Sequence, residues 1–371
     1  MINKNRVIDE FIELAAIDSP SFGEREIADV LIARLQELGF SVTEDDAGKA
    51  YGSNCGNVYG YLEGELEGEP FLFSAHMDTV TPALNKRAIL QPDGRITSAG
   101  DTVLGADDIA GLISILEAVR SLKEEGIPHR SLEVMFTIAE EPYAKGSAAF
   151  DYSKIRSKEA YILDLSGKVG RAAYAAPTIV TFTATIQGKA AHAGFSPEEG
   201  IHSIAIAAKI INQIKLGRID EDTTVNIGRI SGGTATNIIP ETCRVDGEIR
   251  SFRHETAVKI LSDLKELFLT ETSQAGAALS WEEIINCHAF ETDPEGKTAE
   301  RYRTACEEAG LQAELVRTLG GSDCNTFATK GICGLVLSNA MNQVHSCNEY
   351  TEVEELVNSI RIVRNIMRSR S

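Results

Sequence analysis

The run Phe71-Leu72-Phe73-Ser74-Ala75-His76-Met77-Asp78-Thr79 constrains this chain more than any other stretch. Its apolar start has the pattern of a buried strand, and it stops at two polar residues. In an extended segment, residues i and i+2 point the same way, so His76 and Asp78 address one spot beyond the strand's carboxyl end. Open α/β sheets place their ligands at that edge. A metal-bound imidazole usually has its second ring nitrogen fixed by a carboxylate, and Asp78 is placed to supply one. Taken alone, the pair reads equally well as a turn with solvated polar groups, and the rest of the chain must decide.

The surrounding pattern alternates strand and helix. Apolar runs at 58–62, 71–75, 132–138, 160–163 and 334–337 predict strands. Helical periodicity predicts helices over 7–17, 24–38, 109–126, 298–310 and 352–370, with a capping box at Ser21–Glu24 opening the second and Asp108 capping the third. Residues 81–100, rich in Pro, Gly and Asp, read as a loop. This is an α/β chain with a mixed, largely parallel sheet flanked by helices. From residue 177 the pattern changes. Strands at 178–187, 223–230, 242–251 and 277–287 and helices at 197–214 and 255–272 give the order β-α-β-β-α-β, a ferredoxin-like unit with its own core. The expected organisation is a first domain over 1–176, resumed over 289–371, with 177–288 inserted.

Composition narrows the function. At 371 residues the chain is long enough for two domains, and 43% hydrophobic residues supply a core. Fifty-five acidic against 36 basic residues give a formal charge of −19, a field that repels nucleic acid. The acidic, amphipathic N-terminal segment is not a signal peptide, and no uncharged run could span a membrane. Seven scattered Cys without a C-x-x-C pair suggest reduced cytosolic thiols.

Five potential ligands stand out: His76, Asp107, Glu141, Asp164 and His345. Four fall at or after predicted strand ends, and Asp107 falls just before a helix start, so all five belong to one edge of a parallel sheet. Each alone has a plainer reading: Asp107 as a helix cap, Glu140-Glu141 as a solvated loop, Asp164 as a turn residue, His345 as structural. Two His and three carboxylates suit zinc-type chemistry and are too many for one tetrahedral ion. Glu140 is then an extra carboxylate, free to act as a general base.

On Ser74-Ala75-His76-Met77-Asp78-Thr79-Val80, Gly105-Ala106-Asp107-Asp108, Glu140-Glu141, Asp164, Ala191-His192-Ala193-Gly194 and Val344-His345, the sequence resembles the dinuclear zinc exopeptidases. That family includes peptidase T, carboxypeptidase G, aminoacylase and succinyl-diaminopimelate desuccinylase. The resemblance implies the zinc exopeptidase fold, with two Zn2+ per chain that Co2+ or Mn2+ could replace. It also implies a bridging role for Asp107, with His76 and Asp164 on one ion, Glu141 and His345 on the other, and a cis Asp107-Asp108 peptide. Glu140 would be the base, Asp78 the partner of His76, and His192 an oxyanion donor, often to the partner subunit of a homodimer built through the inserted domain. Asn237 and Arg250 match positions that bind a substrate carboxylate, and Gly321 lies in a substrate-lining loop. Aspartate at 164 points to the aminopeptidase branch. The chain is shorter than peptidase T itself, so the resemblance is to a peptidase T-like relative. The expected function is removal of the N-terminal residue from short peptides in the cytosol. The alternatives are deacylation of N-acyl amino acids and, more remotely, a non-catalytic zinc-stabilised binding protein.

Overall fold

The computed structural model describes residues 2–370. The chain forms two compact units, one made of residues up to 175 together with those from 290, the other of 176–289.

The first unit is built on a nine-stranded sheet. Four neighbouring strands at its centre run parallel, in the spatial order Arg130–Thr137, Leu66–His76, Glu159–Leu165, Cys333–Ser338. Antiparallel strands flank them: Val58–Leu62 on one side and Arg171–Ala176 on the other. Strands covered by helices on both faces read as continuous apolar runs, and Arg130–Thr137 is buried at every position. Phe71 and Phe73, two residues apart, both pack their rings on Tyr161 of the neighbouring strand. The helix Ala106–Glu125 is buried almost all round, between the sheet and the helix Val353–Met367. Its Ile113 and Leu116 are fully buried, each contributing roughly 1.5–3 kcal/mol. The buried carboxylate of Glu117 in the same helix is met by Arg6 and Arg120.

The second unit is a five-stranded antiparallel sheet in the order Gly217–Arg218, Thr223–Gly232, Thr242–Ser251, Thr178–Gln187, Ala278–Cys287. The helices Ser203–Ile211 and His254–Gln274 bury their apolar faces with it in a separate core. Trp281 stacks on Phe182, with ring centroids 4.9 Å apart. Apart from the two-residue edge strand Gly217–Arg218, this is the ferredoxin-like order.

Several local expectations need correction. Residues 81–100 are not a plain loop: Ala88–Leu90 and Arg95–Ser98 pair as a hairpin turning at Gly94 (φ 86°), within a small sheet completed by Tyr350–Glu352 and Met341–Asn342. Those strands are too short to carry a periodicity. The strand ending at His76 begins at Leu66, five residues earlier than its apolar run, because its first half is largely solvent-facing. The 197–214 helix is broken at residues 200–202. A short turn, Pro197–Glu199, precedes the helix Ser203–Ile211, whose first turn is capped by the His202 ring accepting from the Ala205 N–H. Ser21 caps nothing: the N-cap of Arg25–Glu37 is Glu24, and the Ser21 hydroxyl instead donates to Asp78 Oδ2 at 2.6 Å. The helix Asp323–Thr329, opened by a Ser322–Asn325 capping box, was not anticipated. No disulfide forms among the described residues, and no described helix is long and apolar enough to cross a membrane.

Candidate metal centre

The parallel strands deliver their polar residues to one edge. His76 is the last residue of its strand, and Asp164 the penultimate residue of its own. Glu140 and Glu141 follow Thr137, and His345 follows the short strand Met341–Asn342. Asp107 opens the central helix, and the Asp107-Asp108 peptide is cis. The carboxylate of Asp107 lies between the two imidazoles: Oδ1 is 3.0 Å from His76 Nε2, and Oδ2 is 3.2 Å from His345 Nε2. Glu141 Oε2 lies 3.0 Å from His345 Nε2, and Asp164 Oδ1 3.9 Å from His76 Nε2. Ligand atoms of His76, Asp107 and Glu141 fall within 4.8 Å of one another, and so do those of His76, Glu140 and Asp164.

These spacings fit a pair of cations. Two donors about 2.0–2.1 Å from a tetrahedral ion sit roughly 3.3 Å apart. Glu141 Oε1 is buried with no hydrogen-bond partner among the described residues, a donor atom left for something else. Electrostatics points the same way. Burial, followed by the Asp164 carboxylate, pushes Glu140 well above the usual carboxylate range. Burial likewise raises Asp164 and Glu141. Burial opposes ionisation of Asp107, yet hydrogen bonds from His345 and His76 hold it below its ordinary value. The same contacts to Asp107 and Glu141 raise His345 to about 10. Burial would lower His76, but Asp107 and Asp78 outweigh it and raise it well above an ordinary imidazole. More carboxylates than counter-charges converge here, an excess that bound cations would offset.

A surrounding layer fixes the donors. His76 Nδ1 donates to the backbone carbonyl of Asp78 at 2.9 Å, while the Asp78 carboxylate lies 3.4 Å away. That carboxylate accepts instead from the backbone N–H groups of Glu140 (2.9 Å) and Glu141 (3.3 Å), so Asp78 ties the His76 strand end to the acidic pair. Asp108 accepts from the His76 N–H, the Gly111 N–H and Asn339. The Gly111 contact is the helix-capping bond expected of it. Positive φ at Ala139 (47°), Tyr143 (71°), Ala144 (51°) and His345 (60°) shows a backbone held in conformations that non-glycine residues rarely adopt.

Sequence reasoning missed part of this layer. Glu349, four residues after His345, takes the Gly105 and Asp107 N–H groups at 2.7 and 2.9 Å, and burial raises it to about 7. Asp323 is buried beside Thr137, whose hydroxyl donates to it at 2.6 Å. Lys86 is 2% exposed, with Nζ donating to Thr79. None carries a periodic or motif signal, since each gains meaning only from its neighbours in space. Gly321 lies half-buried beside Ser322, and neither it nor Gly320 has a positive φ, so no tight turn demands glycine there.

In the second unit His192 is exposed. Its Nδ1 accepts from the Gly194 and Phe195 N–H groups, each at 3.1 Å, which assigns the proton to Nε2 and leaves that nitrogen an outward donor. The ring stacks on Phe195, with centroids 4.3 Å apart. Asn237 belongs to the neighbouring segment: its carbonyl accepts the Ala193 N–H at 3.0 Å, and Ile238 bridges His192. Arg250 donates to Glu248 through Nε and Nη2, at 2.7 and 3.0 Å.

Comparison with known proteins gives matching results. Residues 174–275 match the model of the peptidase dimerisation domain, and residues 57–197 that of peptidase family M28. The chain is 38% identical to the protein YqjE of Bacillus subtilis, over 98% of each chain. It is 39% identical to the crystal structure of aminopeptidase PepT from Bacillus cereus, covering 99% of this chain and 98% of that one, with a TM-score of 0.93. A tripeptidase structure from Staphylococcus aureus is 33% identical with the same coverage and a TM-score of 0.96.

Proposed function

This chain belongs to the peptidase T-like metallo-exopeptidases of the M20 family, and from that premise we propose that it uses two zinc ions to release the N-terminal residue of short peptides. The observation that carries the reading is Asp107, whose two carboxylate oxygens each face a different imidazole, at 3.0 and 3.2 Å. His76, Asp107 and Asp164 would hold one ion, and Asp107, Glu141 and His345 the other. When bound, such ions supply Lewis acidity and bring the pKa of the attacking water toward neutrality.

The chain's own residues do the rest. Glu140, next to His76 and Asp164, accepts the water's proton and delivers it to the leaving amine. Asp78 keeps Glu140 aimed by holding its backbone N–H. His192 Nε2–H donates to the developing oxyanion. Arg250 exchanges Glu248 for the substrate's terminal carboxylate, with Asn237 beside it, and Gly321 lines the substrate's path. The inserted unit pairs two chains in a homodimer, and the enzyme works in the cytosol.

The test is hydrolysis of di-, tri- and tetrapeptides, free and N-acetylated, by zinc-loaded protein. Free tripeptides are expected to be cleaved and their N-acetyl forms spared. Equal cleavage of both forms would replace the aminopeptidase reading with a deacylase.

A further inference from the structure

A second cluster of buried charge lies at the opposite end of the same strands. Arg130 opens one central strand, Glu159 opens another, and Phe71 lies on the strand between them, paired with Glu159. Phe71 precedes His76 by five residues, so about 17 Å of strand separates this cluster from the metal centre. The guanidiniums of Arg130 and Arg301 both stack on the Phe71 ring, 4.6 and 4.5 Å from its centroid. Each arginine is only 7% exposed. With Glu69, Pro70, Glu159 and Lys297 they line a cavity of about 210 Å³, whose wall thus carries two carboxylates against three cationic side chains.

The two arginines are not equally compensated. Arg301 pairs with the Glu159 carboxylate at 3.1 Å and donates to Ser369. Arg130 makes no ion pair among the described residues. Its Nη2 donates to the backbone carbonyl of Glu69, and its buried Nε has no hydrogen-bond partner. Burial, then repulsion from Arg301, lowers its hold on its proton. Gly68 makes room for this head group, since a Cβ there would collide with it. Among the described residues no carboxylate reaches ion-pair distance of this guanidinium: Glu159, already paired with Arg301, and Glu69 attract it only at longer range. A buried charge without a partner is costly, and folded proteins normally pair it.

We propose that this cavity is a binding site for a small oxyanion, a carboxylate or phosphate group, held by Arg130 and Arg301 with Lys297 at the rim. The planar guanidinium forks suit such a group, and Phe71 keeps both planes in place. The site is separate from the metal centre and independent of which peptides are cleaved there.

The test is thermal unfolding of the full chain, titrated with inorganic phosphate or with acetate at fixed ionic strength, chloride making up the balance. Wild type should gain about 2–4 °C in Tm at tenfold over the dissociation constant. Arg130→Met should lose that gain, while its Tm without added anion equals or exceeds that of wild type. Lys297→Ala, an exposed change, should weaken the apparent affinity several-fold and covers the case in which Arg130→Met fails to fold. A response to phosphate alone or to acetate alone identifies the head group. Anions acting at the metal centre would stabilise all three proteins alike, and an equal response in wild type and variants overturns the proposal.

Discussion

The two units of this chain handle polar residues in opposite ways. In the first, His76, Asp107, Asp108 and Glu140 are all at most 9% exposed; His76 is bonded to Asp107 and Asp108, and the Glu140 backbone N–H to Asp78. In the second, His192 and Asn237 lie on the surface, and Phe195 beside them is 87% exposed. Buried charges cannot tolerate a loose arrangement, so the first unit defines its geometry by itself. The contrast sets buried, mutually bonded acids and imidazoles in the first unit against exposed polar groups in the second, and it can be broken at either end.

The largest effect is expected at Glu140. Glu140→Gln keeps the shape and the other donors but removes the proton acceptor, so turnover should fall about 10²–10⁴-fold while metal content and Tm hold. A near-native rate would mean that Glu141 is the base and that the acidic pair has exchanged roles.

His192→Ala tests the other unit. An oxyanion donor matters in the transition state, so kcat should fall about 10²–10³-fold with little change in KM, Tm or metal content. Mixing His192→Ala with Glu140→Gln chains tests whether the second unit serves a neighbouring chain. Restored activity after subunit exchange means action in trans, and no restoration despite exchange places His192 in its own chain's site or in none.

Metal binding should stabilise one unit selectively. Elemental analysis after zinc loading is expected to approach two ions per chain, with a rise in Tm of several degrees, since ions bound only by the folded state stabilise it by mass action. Saturation at one ion would contradict the bridging role proposed for Asp107. Asp107→Asn should lower the stoichiometry, whereas Arg250→Ala, in the second unit, should leave it at two.

The same contrast governs how much could be read from sequence. Strands 58–62, 178–187 and 242–251 were legible because their alternation or apolar run matches their burial. That His76, Glu140, Glu141 and Asp164 would gather was legible because parallel strands deliver their ends to one edge, and Asp107 because the central helix starts there. His345 arrives differently, after the antiparallel strand Met341–Asn342 of the small sheet. What escaped depends on contacts between distant segments. Ser21 reads as a cap until Asp78, fifty-seven positions away, takes its hydroxyl. Glu349 and Asp323 look like surface acids until folding buries them. Arg130 carries no signal in the sequence, and only the folded neighbourhood of Arg301 and Phe71 shows a buried guanidinium with no ion pair among the described residues.

The smallest expected effect sharpens the comparison most. Lys86, in the first unit, is 2% exposed and makes no ion pair among the described residues. Burial lowers its pKa to about 8, with Asp18 and Glu349 opposing the shift. A lysine whose folded pKa is depressed contributes stability that is present above the unfolded value, near 10.4, and is lost as pH falls through the folded one. At pH 7 the charged amine therefore weakens the fold by up to about 3 kcal/mol, the two carboxylates already included. Lys86→Met, which keeps most of the volume, should raise Tm at pH 7 by a few degrees, and the advantage should fade by pH 10–10.5. Lys259 in the second unit is the control: its ammonium is exposed and pairs with Asp263 at 2.6 Å, so Lys259→Met should shift stability by no more than about 0.5 kcal/mol at either pH. A Lys86→Met advantage that is the same at pH 7 and pH 10 would mean that packing, not buried charge, sets its effect. The contrast between the units would then rest on the proposed metal ligands alone.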